Sequence, residues 1–393
     1  MTDLIKEVKN IEEQMISWRR DLHRIPEIGL DLPKTSDYIR RALEDLGIEY
    51  KELLNGNALV GLIRGQEEGR TIALRADMDG LPVREETGLD FASKDGRMHA
   101  CGHDGHMAML LGAAKILQDK RHLLKGNVKL LFQPAEESPG GALPMIEEGA
   151  LENPKVDAII GLHNGNLHKD IPKGKIGVRF GPMMASADRV FITIKGKGAH
   201  GAYPEQSIDP ITIAAELILA LQTIISRETA AVDPAVLSIC KIEGGYNTNI
   251  IPDEVKLEGT VRSFNRETRK MLARRIEEVT RGITATMGAE CQIKYEFSYP
   301  ALINSRSFTE FFIDSAKKII PESDIVILTE PVMAAEDMAY LLEKVPGTFF
   351  FLNNIGEIEG LAYPHHNAKF DLDEGLFYKG TALLVQTVLD YLD

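Results

Sequence analysis

Cys101-Gly102-His103-Asp104-Gly105-His106 brings a thiol, two imidazoles and a carboxylate within six positions. Thiolate and imidazole are ligands for transition metals such as zinc. Gly102 lets the backbone bend so that Cys101 and His103 can face one ion. A Cys-x-His pair alone is weak evidence, because cysteine is among the most often buried residues. Four such side chains so close together are harder to place in an apolar core, which favours metal binding. His106 is open to other readings: a supporting donor, or only the opening of the helix that follows.

Three apolar runs carry further chemistry at their ends. Thr71–Leu74 leads into Arg75-Ala-Asp77-Met-Asp79, Val128–Phe132 into Gln-Pro-Ala-Glu136-Glu137, and Asp157–Leu162 into His163-Asn164. Adjacent carboxylates repel unless cations or protons compensate. A hydrolytic metal site needs one carboxylate as ligand and another as base, and Glu136 and Glu137 can divide those roles. The plain alternative is a solvated acidic loop; the strand-end position and Gly140-Gly141 favour function. A lone His163 is more often structural than a ligand. His365-His366 add an imidazole pair, of which one need bind metal, and Asp77 and Asp79 can orient ligand histidines. In open α/β sheets ligands gather beyond the carboxyl ends of the strands, so these segments converge on one crevice and predict a metal-dependent enzyme.

The elements that must position these residues follow from hydrophobic periodicity. Helical patterns over 3–22, 34–46, 104–119 and 141–149 alternate with the strand runs, implying a largely parallel, helix-covered sheet. Asn55-Gly56-Asn57 separates two early strand candidates. The middle of the chain changes character: strand 189–195, helix 207–228, strands 235–243 and 254–264, a helix from Arg266 to about Met287, and strand 290–298. That order, β-α-β-β-α-β, is the ferredoxin-like split motif. After residue 300 the first rhythm resumes, with helix 306–319, strands 325–329 and 347–352, and helix 373–392. The expectation is an α/β catalytic domain, 1–185 and 300–393, interrupted by an inserted α+β domain, 186–299.

A chain of 393 residues suggests two domains. Its net charge of -14 argues against nucleic acid or an anionic membrane surface as partner. The N-terminus lacks a signal peptide's apolar core, and no apolar run approaches the length of a membrane span. Cys101, Cys240 and Cys291 form no disulfide framework. A reducing cytoplasm is the simplest reading, and it keeps Cys101 available as a thiolate.

These segments together resemble the aminoacylase and carboxypeptidase-G-like family of metallopeptidases, in the branch of hippurate hydrolase and auxin-conjugate amidohydrolases. The resemblance spans Arg19-Arg-Asp-Leu-His-Arg-Ile-Pro-Glu27 to Phe370-Asp-Leu-Asp-Glu374. Its most specific motifs are Arg75-Ala-Asp-Met-Asp-Gly-Leu-Pro82, His99-Ala-Cys-Gly-His-Asp-Gly-His106 and Phe132-Gln-Pro-Ala-Glu-Glu137. It implies a zinc-peptidase-like catalytic domain with a mixed, mostly parallel sheet. It also implies two divalent ions, Zn2+ or Mn2+, held by Cys101, His103, Glu137, His163 and His366. The register of Phe370–Glu374 selects His366 over His365. Glu136 is then the general base and His200, in Gly198-Ala-His-Gly201, stabilises the oxyanion. Asn249 and Arg262 hold the substrate carboxylate; Arg262 has a structural ion pair as its alternative. Asp77, Asp79 and Asp104 fall behind the ligands.

The implied reaction is hydrolysis of an N-acyl-L-amino acid, with a carboxypeptidase or dipeptidase acting on short peptides as the alternative. A non-catalytic metal- or ligand-binding protein on the same scaffold would lack the base, and Glu136 is present. The inserted domain is expected to mediate a homodimer, with higher assembly left open. Met333-Ala-Ala-Glu-Asp-Met338, Phe351-Leu-Asn-Asn354 and Leu162–His168 depart from commoner family wording. These departures bear on the substrate pockets and leave the implied ligands and base in place.

Overall fold

A computed structural model describes residues 2–393. The chain forms two compact units, one comprising residues up to Met183 with Ile303–Pro331 and Asp337–Asp393, the other Met184–Leu302 with Val332–Glu336.

The first unit is built on a mixed eight-stranded sheet. Its strands lie in the order Glu49–Leu53, Ala58–Arg64, Lys125–Gln133, Glu67–Asp77, Ala158–Asn164, Gly347–Leu352, Ile176–Val178 and Ile325–Ile327. The four central strands, Lys125–Gln133 through Gly347–Leu352, run parallel, and their register sets Asp77 beside Gln133 and His163 beside Phe351. The carboxyl ends of three sequence-distant segments therefore open on the same edge. Ala158–Asn164 is buried at every position, as a central parallel strand must be when helices cover both faces. Two of these strands run further than apolarity alone suggests, to Asp77 and Asn164, because the polar end residues find buried partners there.

Helix His103–Asp119 packs against the sheet and against helices Glu12–His23 and Phe377–Tyr391. Nearly all its residues are buried, from His103 through Ala114 without a break. Its small residues make that possible: a Cβ on Gly112 would meet Met15 Sδ at 2.6 Å. The helical pattern over 3–22 is two helices, Asp3–Lys9 and Glu12–His23, because the chain leaves helical geometry at Ile11.

The second unit holds a four-stranded antiparallel sheet, in the order Ala235–Gly244, Glu254–Ser263, Asp188–Lys195, Glu290–Phe297. Alternate residues Val190, Ile192, Ile194, Val255, Leu257 and Val261 face one side, where helices Pro210–Thr223 and Arg266–Thr286 cover them. Asp209 and Asn265 cap the two helices through backbone N–H groups of Ile211 and of Glu267 and Thr268.

The expectation that no segment approaches a membrane span is corrected here. With its last turn widened to a π-helix, Pro210–Glu228 is 19 residues long and an 18-residue stretch of it has a mean hydropathy of 1.3, which meets the length and composition of a membrane span as a core helix also can. The cause is an apolar residue on both faces. Ile213, Leu217 and Leu221 pack on the sheet, whereas Ile211 and Leu219 are exposed.

Candidate active site

Four segments of the first unit meet at the carboxyl edge of its sheet. Gly102 takes a left-handed φ of 87°, and a Cβ there would lie 2.3 Å from Asn164 Oδ1, so only glycine fits between Cys101 and His103. The thiol and imidazole on either side of it turn toward a common centre. Cys101, His103 and His163 offer ligand atoms all within 4.8 Å of one another. Cys101, Glu137 and His366 form a second such group, and His103, Glu136 and Glu137 a third. Cys101 belongs to two of these groups, as Glu137 does. Ala135, just before the two glutamates, and His366 both take positive φ, at 57° and 67°, a strained backbone that this edge of the sheet holds in place.

Two of the imidazoles are held by one ring nitrogen with the other turned into the site. His103 Nδ1–H donates to the Asp79 carbonyl at 2.8 Å, which leaves Nε2 buried and without a hydrogen-bond partner among the described residues. His163 Nδ1–H donates to the Asn164 carbonyl at 2.8 Å, and its Nε2 faces Cys101 Sγ at 3.5 Å. His366 Nε2 lies 3.1 Å from Glu137 Oε1. Tying one ring nitrogen to a backbone or carboxylate acceptor is how ligand histidines are held in one tautomer. The orphaned His103 Nε2, with Cys101 Sγ and His163 Nε2 close by, fits a divalent cation.

The charges are arranged accordingly. Burial keeps His163 neutral, its pKa far below the usual range, with His106 and His365 adding to that. Burial, with Glu137, Glu136 and Asp77 behind it, pushes the Cys101 thiol well above its ordinary value. A dication held among these groups would invert that balance and favour the thiolate. Burial opposes charge on His103, but Asp77 and Asp79 outweigh it and raise the imidazole to about 10.

Asp79 and Asp77 do different jobs. The Asp79 carboxylate accepts the backbone N–H groups of Glu136 and Glu137 at 2.9 and 3.1 Å and so fixes the acidic pair's backbone. Asp77 accepts from His106 Nδ1 at 2.5 Å and from Arg75 at 3.0 Å. His106 Nε2 in turn accepts the Asn164 N–H at 3.0 Å. Both its nitrogens are engaged, which favours the supporting reading of His106, although its ligand atom also groups with those of Asp77 and His103. His365 likewise donates to the Asn164 carbonyl at 3.0 Å. Asp104 turns away from the ligand imidazoles toward Arg19 and His23, both at 2.8 Å, so it braces the helix start.

His200 and Asn249 lie together in the second unit. The strand pair Ala199–His200 and Ile250–Ile251 joins their segments, and Gly201 N–H donates to the Asn249 carbonyl at 2.7 Å. Both residues line one cavity with Gly198, Tyr246 and Asp253. Ala202 N–H donates to His200 Nδ1 at 3.1 Å, which makes Nδ1 the acceptor and leaves Nε2 as the ring's N–H donor. Arg262, on the interior strand Glu254–Ser263, is half-buried and donates to Thr260 and the Val261 carbonyl. No carboxylate pairs with it among the described residues, against the structural ion-pair alternative.

Several residues escaped the reading of the sequence. Asp337 accepts from Arg75 at 2.9 Å, from Gln133 at 2.7 Å, and from the N–H groups of Gly141 and Ala142, which ties down the loop after Glu137. Arg75, Gln133 and Asp337 all lay in noted segments, yet nothing in their spacing links them.

A parallel-stranded edge with a shared thiol, tautomer-fixed imidazoles and an adjacent glutamate pair defines a metal-dependent hydrolase. The family model described as peptidase family M20/M25/M40 matches residues 73–390, and the chain belongs to that family. The chain is 41% identical over 387 residues to N-acetyl-L-cysteine deacetylase of Bacillus subtilis, covering 98% of this chain and 90% of that one. It is also 41% identical to thermostable carboxypeptidase 1 of Saccharolobus solfataricus, over 96% of each. Among solved structures, a dinuclear metal-binding M20 peptidase of Bacillus subtilis superposes with a TM-score of 0.84 at 36% identity, covering 98% of this chain and 99% of that one.

Proposed function

We propose that the protein hydrolyses the amide bond of N-acyl-L-amino acids, releasing a carboxylic acid and a free amino acid. The observation that carries this reading is the pair of ligand groups sharing Cys101 beside Glu136. Cys101, His103, Glu137, His163 and His366 would hold two divalent ions, zinc or manganese. Such ions would supply Lewis acidity to the acyl carbonyl and acidify water. Glu136 takes the proton of the attacking water and passes it to the leaving amine. His200 donates from Nε2 to the oxyanion, and Arg262 with Asn249 holds the substrate carboxylate through charge-assisted hydrogen bonds. The deacetylase relative supports an acyl-amino-acid substrate. The carboxypeptidase relative supports a second reading, cleavage of the last residue of short peptides by the same chemistry.

The second unit, on this reading, is an inserted ferredoxin-like domain within 186–299, and its strand order with two helices on one face supports that. It serves as lid and dimerisation module, and its exposed Leu219 together with its open edge strand Ala235–Gly244 supports a homodimer. The cytoplasm is the proposed location.

The test is amino-acid release from N-acetyl, N-benzoyl and dipeptide substrates, using chelated protein before and after zinc or manganese addition. Metal-restored release is expected, with the best substrate deciding deacylase against carboxypeptidase. Stoichiometric metal binding with no release from any substrate would overturn the proposal.

A further inference from the structure

Arg19 lies on helix Glu12–His23 and is 1% exposed. Its guanidinium spends each of its three nitrogens on a different carboxylate. Nε donates to Asp104 at 2.8 Å, one terminal nitrogen to Asp371 at 2.8 Å, and the other to Glu374 at 3.0 Å. His23, one turn further on, adds its Nδ1 to the same Asp104 oxygen at 2.8 Å and sets its Nε2 3.2 Å from both oxygens of Glu85. The ring of Phe91 covers the guanidinium at 4.8 Å.

Burying this many charges is a poor route to stability, since desolvation offsets most of the attraction. What the arrangement does supply is geometry, because a planar guanidinium cannot lose its proton and fixes its acceptors in direction. Two of the three carboxylates belong to the segments that carry ligand donors. Asp104 follows His103 in the first turn of helix His103–Asp119. Asp371 follows Phe370, whose ring lies 4.7 Å from that of His365, while His366 N–H donates to the Ala100 carbonyl at 2.8 Å.

We infer that Arg19 is a positioning residue for the metal centre, clamping the Cys101–His103 turn and the His365–His366 segment in one fixed relation. This rests on the metal-dependent reading above. Arg19 touches no ligand atom and acts through Asp104 and Asp371.

The test compares divalent-ion affinity by chelator competition, with the visible spectrum of the cobalt(II)-loaded protein, in native chain, Arg19→Met, Arg19→Lys and Leu111→Ala. Leu111 is a buried apolar core residue of helix His103–Asp119 that carries no group of this ion-pair network, and it reports the effect of lost stability alone. Arg19→Met is expected to bind metal roughly 10–100-fold more weakly, the range for residues that orient ligands. Its cobalt spectrum should differ from native, whereas Leu111→Ala keeps native affinity and spectrum. Arg19→Lys retains the charge without the three-way fork and is expected to weaken binding like Arg19→Met.

Should Arg19→Met fail to fold, Asp371→Asn removes one arm only and is expected to weaken binding to a smaller degree. Native affinity in Arg19→Met, or in Asp371→Asn where that replaces it, overturns the inference, as does full recovery by Arg19→Lys. Equal losses in Leu111→Ala also overturn it. A native chain that binds no divalent ion overturns the metal-dependent reading together with this inference, whereas native binding with an unaffected Arg19→Met removes the inference alone.

Discussion

At the scale of single residues, the proposed roles separate groups that would hold an ion from the group that would move a proton. Glu136→Gln removes the base and leaves every ligand side chain in place. It is expected to lower kcat about 10²–10⁴-fold, with metal content by elemental analysis unchanged. Near-native turnover in that variant would rule out Glu136 as the base. Lys129 offers a different test. Its ammonium is buried on strand Lys125–Gln133 and donates to the carbonyls of Ala150 and Glu152. Burial lowers it to about 8. An unfolded lysine holds its proton up to about pH 10.4. Between those values the unfolded chain binds a proton that the folded chain does not, so this residue's contribution rises with pH. The urea midpoint of native protein relative to Lys129→Met is expected to shift in the native protein's favour from about pH 8 to about pH 10. Residue identity made Cys101, His103, His163 and the glutamate pair legible, because few other roles suit those types together. The acceptors that fix their tautomers were illegible: the Asp79 and Asn164 carbonyls are backbone atoms, which every residue carries.

Elements decide how firmly those residues are held. The loop after Gln133 must turn sharply to present Glu136 and Glu137. It is pinned at one end by Asp79 and at the other by Asp337, which also neutralises buried Arg75. Asp337→Ala leaves that guanidinium and two N–H groups without their shared acceptor. Asp77 still pairs with Arg75 at 3.0 Å, so the loss comes from the unpaired N–H groups, and the first unit is expected to be destabilised by about 1–3 kcal/mol, measured by urea unfolding. A loss below about 1 kcal/mol would mean that water replaces the carboxylate there. Periodicity located the long strands and helices well: strand 347–352 coincides with Gly347–Leu352, and the pattern 104–119 with His103–Asp119. It passed over Ile176–Val178, too short to show alternation, and joined two N-terminal helices that only the backbone at Ile11 separates. Strand ends were placed too early at Leu74 because hydropathy stops at the first charge, whereas hydrogen bonding carries the strand on to Asp77.

For the whole molecule, length suggests two units but does not say how a helix apolar on both faces is used. Helix Pro210–Glu228 fills the core of its own unit with one face and leaves Leu219 67% exposed on the other. If that face is the proposed dimer contact, Leu219→Glu is expected to convert dimer to monomer in sedimentation velocity without loss of far-UV helicity. A native chain that sediments as monomer would remove the dimer reading.

The order of strands in the large sheet also constrains how the chain is made. Gly347–Leu352 lies between Ala158–Asn164 and Ile176–Val178, so the partner of the His163 strand is synthesised long after it. About 190 residues separate Asn164 from Leu352, which at roughly 5–20 residues per second leaves an apolar parallel edge waiting for roughly 10–40 s on the ribosome. The second unit has its own core and all four sheet strands in between, so it can fold first, while the unit that began earlier finishes last. Nascent chains stalled before residue 347 will therefore present the open edge of Ala158–Asn164, and that interval is when chaperones have most to protect.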